Sequence, residues 1–257
     1  MRFITSYNHE SLIPLAPHQI EWAILGKSDA IVGVSNSVVE SLQARCSFPE
    51  KIHKIYNGLD ESCYFEHTSD LPVSQKVTNI LIASRLTKWK AIDIGLLAFL
   101  RLADEEDSLH LHVIGAGSEL PYLQNIVQTY KMFDRVSFHG WVTNPKYWYL
   151  KSDCLLHPSP MEAFGRVIAE ANSCGLPAIA PQLAGAGELI INKHTGLTFI
   201  NNNVDGCHET LSYFIHLTYR ERQIMSERAI TRANQLFRAT TIAKEYIGLA
   251  NNLIQSI

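Results

Sequence analysis

Residues 155–181 read LLHPSPMEAFGRVIAEANSCGLPAIAP, and the fold is decided by how this stretch is read. Leu155 and Leu156 end a short apolar run, which predicts a buried strand. His157-Pro158-Ser159-Pro160 breaks it, because proline has no N–H to give a sheet ladder. Phe164, Val167, Ile168, Ala171 and Cys174 then recur at helical spacing and put one stripe of a helix against a core. Gly175 and Pro177 stop that helix. Ala178 to Ala180 predicts the next buried strand. Strand, loop, helix and strand in this order make the two strands parallel.

Glu162 lies in the loop before the helix and Glu170 lies two turns inside it, off the apolar stripe. The backbone N–H groups near Ala163 to Arg166 are helix-start donors without an intrahelical partner, which suits an anion. One unit therefore offers an anion cradle and two carboxylates that accept hydroxyl hydrogen bonds. A nucleotide sugar has the matching diphosphate and hydroxyls. The alternative is that Glu162 is an ordinary helix-start acid and Glu170 pairs with Arg166 at i, i+4. Spacing alone leaves both open.

Pro158-Ser159, Glu162, Phe164-Gly165, Glu170-Ala171 and Cys174-Gly175-Leu176-Pro177 together resemble the signature of the retaining glycosyltransferases of family 4 (glycosyl transferases group 1). That resemblance implies a GT-B fold. It extends from about Ser28 to the C-terminus. Ala30 to Ser37 is similar to the strand that closes the family's N-terminal domain, and Asn57-Gly58-Leu59-Asp60 to its "NG(V/I)D" turn.

Composition agrees with a globular protein and excludes several classes. The chain has 257 residues, 46% hydrophobic and 18% charged, which decides against disorder. A net charge of −3 gives no reason to expect nucleic acid. The five cysteines, Cys46, Cys63, Cys154, Cys174 and Cys207, form no C-x-x-C pair and read as free thiols in a reducing compartment. No apolar run reaches the roughly 18 residues of a membrane span. MRFITSYNHE turns polar too early for a signal peptide. A cytoplasmic location is expected, with peripheral contact at the inner face of a membrane left open.

Strand and helix alternate through the rest of the chain, so the expected fold class is α/β, a GT-B-like doubly wound parallel sheet. The expected division is residues 1–60 for a remnant of the acceptor-side domain and 61–77 for a linker. Residues 78–238 form the nucleotide-sugar-binding domain, and a terminal helix in 239–257 returns to the first domain. Strands are expected at 3–7, 29–35, 51–56, 79–84, 109–114 and 135–138, and helices at 13–25, 36–44, 120–130 and 145–151. A further helix carries Ile92, Leu96, Leu97 and Leu100 on one face. The N-terminal Rossmann-like domain is incomplete on this reading. A domain of that size buries too little surface to be comfortable alone, so self-association or a partner chain is expected.

Arg85 and Lys90 sit where a strand ends, five residues apart across a turn, and can converge on one diphosphate. The resemblance makes them the Arg and Lys of the family's "GRL-x-x-x-KG" motif, with Ser84 and Ala91 in place of its glycines. Gly115-Ala116-Gly117 follows a strand, but Leu120 stands where a dinucleotide fingerprint needs its third glycine. A phosphate-proximal or merely tight turn is expected there. Arg135 to Gly140 resembles the segment whose backbone lies near the nucleotide base, which brings in Val136. His110 and His112 share one strand face with no third metal ligand in view, His139 is read as incidental, and His9 as a surface residue. Gly185-Ala186-Gly187-Glu188 resembles the family's "GG-x-pE" loop, with Ala184 at its first Gly and Gly187 at its Pro; Glu188 reads equally as a helix-start acid. Arg220, Arg222, Arg228, Arg232 and Arg238 interleave with Glu221 and Glu227 and read as a solvated face.

The resemblance implies transfer of a hexosyl unit from a nucleoside diphosphate sugar to a glycan or glycolipid, with no metal or other cofactor. Catalytic roles fall to Glu162, Arg85 and Lys90, and donor-binding roles to Arg85, Lys90, Gly115, Gly117, Val136, Phe164, Gly165, Arg166 and Glu170. A catalytically silent or partner-dependent nucleotide-sugar-binding module is the other reading. A nucleotide-sugar epimerase of related architecture ranks below both.

Overall fold

The computed structural model describes residues 4–7, 27–45, 47–64, 73–200 and 203–255. The helix expected over 13–25, His9, and residues 65–72 of the expected linker lie outside them.

Apolar runs of three to five residues become strands and each pairs in parallel with its neighbour. β1 (Ile4–Tyr7), β2 (Ala30–Gly33) and β3 (Ile52–Lys54) form one sheet in that order. The strand expected over 51–56 is shorter than read, because a 3₁₀ turn over Pro49–Lys51 takes its first residue. β4 (Asn79–Ala83), β5 (His110–Ile114), β6 (Val136–Gly140), β7 (Cys154–Leu156), β8 (Ala178–Pro181) and β9 (Gly196–Phe199) form a second sheet. Its order is β6-β5-β4-β7-β8-β9, parallel throughout.

The helices are α1 (Asn36–Gln43), α2 (Ile92–Ala103), α3 (Leu120–Tyr130), α4 (Pro145–Lys151), α5 (Arg166–Ser173), α6 (Ala184–Leu189), α7 (Val204–Ile215), α8 (Tyr219–Leu236) and α9 (Ala239–Gln255). Several starts are written in local chemistry. Ser35 caps α1 by accepting from Val38 N, and Thr218 with Glu221 forms a reciprocal capping box at α8.

Period-two alternation sends each strand's side chains to two cores. Leu81 and Ala83 of β4 and Leu155 of β7 face one core. Ile80, Ile82, Cys154 and Leu156 face the other. The first core does not stop at the large sheet. It runs through Phe164, Ile168 and Ala186 into Ile31, Val38, Leu42 and Leu59, so the small sheet shares its apolar interior with the large one.

Three expectations are corrected here. Phe164 is not on the helix, which begins at Arg166; its ring packs edge-on against Phe237 and tilted against Tyr56. Arg222 is not solvated. It is buried, and its guanidinium donates to the carbonyls of Ser74, Gln75 and Leu217. Arg232 and Arg238 are likewise engaged, the first with the carbonyls of Glu188 and Leu189, the second with Glu61. No helix among the described residues is long and apolar enough to cross a membrane.

Candidate functional site

The sheet's crossovers run one way from β4 to β5 and β6 and the other way from β7 to β8 and β9. The reversal opens a crevice beyond the C-terminal ends of β4 and β7, where ligands bind in such sheets. Both loops that Arg85, Lys90 and Glu162 occupy emerge there. After β4 the chain makes a 3₁₀ turn over Lys88–Lys90 and enters α2 through Ala91, whose φ of 48° is left-handed. This folds Lys90 inward. After β7, the His157-Pro158-Ser159-Pro160 turn brings Glu162 to meet it.

Lys90 Nζ lies 2.6 Å from Glu162 Oε1, and both residues are buried. His157 Nε2 lies 3.3 Å from the same oxygen but is not aligned for a hydrogen bond. Burial works to raise the Glu162 carboxyl. The His157 ring and the Lys90 ammonium outweigh it and hold the group at about 2. Glu162 is therefore an ionised, shielded carboxylate rather than a proton donor.

Gly165 enters α5 with a left-handed φ of 87°, and no side chain caps the helix. Ile168 N donates to Gly165 O at 2.9 Å, and the N–H groups of Arg166 and Val167 before it are helix-start donors of the kind that have no intrahelical partner. Inside α5, Glu170 accepts from Arg166 Nε at 2.7 Å and from Tyr149 O–H at 2.9 Å. The i, i+4 pairing that spacing offered is thus formed. The same carboxylate still lines a cavity of about 540 Å³ with Ser84, Arg85, Gly115, Trp141 and Val167. Burial, reinforced by Glu170, pushes the Tyr149 phenol well above its ordinary range.

Gly115 and Gly117 serve loop packing. A Cβ at Gly115 would lie 1.8 Å from Ser84 O and one at Gly117 2.1 Å from Leu86 O. Leu86 N donates to Ala116 O and Glu119 N to Leu86 O, which staples the loops after β4 and β5 together. Val136 is buried in the second core and does not line the cavity. His139 packs against the rings of His112 and Trp148. Asn79 Oδ1 accepts from His112 Nε2–H at 3.2 Å, so His112 Nδ1 accepts from His139 Nε2–H at 3.1 Å. Burial lowers all three histidines of this stack, His112 to about 4. Among the described residues no three His, Cys, Asp or Glu are grouped to hold a metal ion.

Sequence reading missed Tyr149, His157 and Trp141. The signal for His157 was its place immediately after β7, at the strand ends beyond which Lys90 also lies. Tyr149 and Trp141 left no comparable trace. Glu188 was singled out, and it does sit at a helix start, but at that of α1, reached through space: Asn36 N donates to its Oε2 at 2.8 Å.

Residues 66–232 match the family described as glycosyl transferases group 1. The chain belongs to that family. This group 1 member is 27% identical over 225 residues to the N-acetyl-alpha-D-glucosaminyl L-malate synthase of Bacillus anthracis, which covers 86% of this chain and 58% of that protein. It is 26% identical over 216 residues to the O-antigen biosynthesis glycosyltransferase WclY of Escherichia coli, with 79% and 56% covered. The chain thus spans about half the length of the curated relatives it matches. Among solved structures, Anabaena Alr3699/HepE in complex with UDP superposes with a TM-score of 0.84 at 21% identity, covering 98% of this chain and 72% of that one. Staphylococcus aureus TarM in complex with UDP superposes at 0.83 with 14% identity, covering 96% and 50%. The expected GT-B-like α/β fold with parallel sheets is borne out.

Proposed function

We propose that this chain carries the donor site of a retaining family 4 glycosyltransferase, which moves a hexosyl unit from a nucleoside diphosphate sugar to a glycan or glycolipid. The observation that carries the reading is the meeting of Lys90 and Glu162 across the crevice, beside the cavity that Arg85 and Glu170 line. Arg85, Lys90 and the helix-start N–H groups of α5 neutralise the leaving diphosphate without a metal. An ammonium has three N–H donors, so Lys90 can keep Glu162 and still meet a phosphate oxygen. Glu162, ionised and shielded, supports positive charge developing at the anomeric carbon. Glu170 holds ribose hydroxyls with the oxygen capacity its two present donors leave. Departure and attack on one face of the sugar account for retention, and no covalent nucleophile is assigned.

A catalytically silent or partner-dependent nucleotide-sugar-binding module is the second reading. Calorimetry with UDP, GDP and ADP, without added metal, tests the donor site common to both. One diphosphate binds the unaltered chain. Hydrogen bonds to charged groups contribute roughly 1.5–3 kcal/mol each, so Arg85→Ala weakens that binding by on the order of tenfold. Equal binding by both proteins would sink the assignment. A transfer assay with and without a candidate partner chain then separates the two readings.

A further inference from the structure

Glu188 lies on α6 and is given no role in the donor reading above, yet it joins the small sheet's layer to the loop that carries Glu162. Ser35 takes Val38 N at the start of α1, which leaves the Asn36 N–H pointing at Glu188 Oε2, 2.8 Å away. The positive end of the α1 dipole favours a carboxylate there. Oε1 of Glu188 is buried without a well-aligned hydrogen bond, so Asn36 holds the carboxylate through Oε2, with the Lys54 ammonium and the Tyr56 hydroxyl also acting on it. The helix that carries it is clamped at both ends. At its start, Gly185 N donates to Glu162 O at 2.8 Å. A Cβ at Gly185 would lie 2.2 Å from Ala163 O, so that contact has no slack. At its end, Arg232 donates to the carbonyls of Glu188 and Leu189. The Glu188 side chain is therefore linked to the backbone of Glu162 through a short helix held at both ends.

We infer that Glu188 is a positioning residue, which uses the Asn36 N–H of α1 to seat the Glu162 loop against Lys90. What Glu162 does once seated rests on the donor reading above; how it is seated does not.

Hydrogen exchange read by mass spectrometry tests the seating on the whole chain. Glu188→Ala removes the acceptor, and Glu188→Gln keeps an oxygen in its place. Asn36→Pro removes the donor from the other side. Proline is tolerated at a first helical position, and Ser35 already has the extended φ of −159° and ψ of 165° that a residue before proline needs. Amides of residues 161–165 and of Gly185 exchange about tenfold or more faster in Glu188→Ala and in Asn36→Pro, at rates near the unaltered chain's in Glu188→Gln, with β5 unchanged in all three. Acceleration confined to α1, acceleration spread uniformly through β5, or equal acceleration in Glu188→Gln overturns the proposal. If Glu188→Ala does not fold, the Asn36→Pro and Glu188→Gln pair decides alone. Failure of any diphosphate to bind the unaltered chain would sink the donor reading and leave the exchange result standing.

Discussion

Lys90 and His157 converge on one oxygen of Glu162, and the low acidity range of that carboxyl has a consequence for stability. Its folded value of about 2 lies below the ordinary 4.5, so the pair's contribution is present above about pH 4.5 and is lost as pH falls through about 2. Lys90→Met leaves a buried carboxylate without its ammonium, which costs about 3–5 kcal/mol at neutral pH. The cost shrinks toward pH 2, where Glu162 is protonated in the variant and about half protonated in the unaltered protein. Thermal melts of the two proteins from pH 2 to 7 check this; a difference that stays constant across the range would refute it. Both residues were legible in the sequence, each from its own motif. Their contact was not, because it depends on β4 and β7 being neighbours, which no local pattern states.

Two short segments turn on residues with the wrong shape for the job. Ala91, at the start of α2, and Ala184, at the start of α6, both have left-handed φ, 48° and 51°. They stand where the resembled motifs carry glycine. A side chain there costs roughly 1–2 kcal/mol, while glycine gives back about 0.4–1 kcal/mol through the entropy of the unfolded chain. Ala91→Gly is therefore expected to raise stability by about 0.5–1 kcal/mol, seen as a melting temperature a few degrees higher. A lower melting temperature would show that the turn is not strained. The long elements were legible because α2 and α3 carry an apolar stripe. By contrast α6, reading Ala-Gly-Ala-Gly-Glu-Leu, has no period to read. The Gly115-Ala116-Gly117 turn was visible as a turn. Only the approach of the loop after β4 explains why both glycines are there.

At the scale of the whole molecule, a cluster of three rings joins the two sheets, alongside the Asn36–Glu188 hydrogen bond and the Arg238–Glu61 ion pair. Tyr56 follows β3, Phe164 belongs to the donor loop and Phe237 lies between α8 and α9; their centroids are 5.6–5.9 Å apart. Leu59 N donates to Phe237 O nearby at 2.7 Å. Phe237→Ala empties the middle of this cluster and is expected to cost about 3–5 kcal/mol. Urea unfolding checks the figure, and a loss below about 1 kcal/mol would refute a shared core. The division at residues 61–77 was read from polarity. The core that crosses it was not, since contacts made across so many residues leave no mark in a local stretch. The indole of Trp141 is 78% exposed and stands at the rim of the Arg85 and Glu170 cavity. A nucleotide base lodging there changes the polarity around a natural fluorophore, so occupancy can be followed by emission with no dye attached.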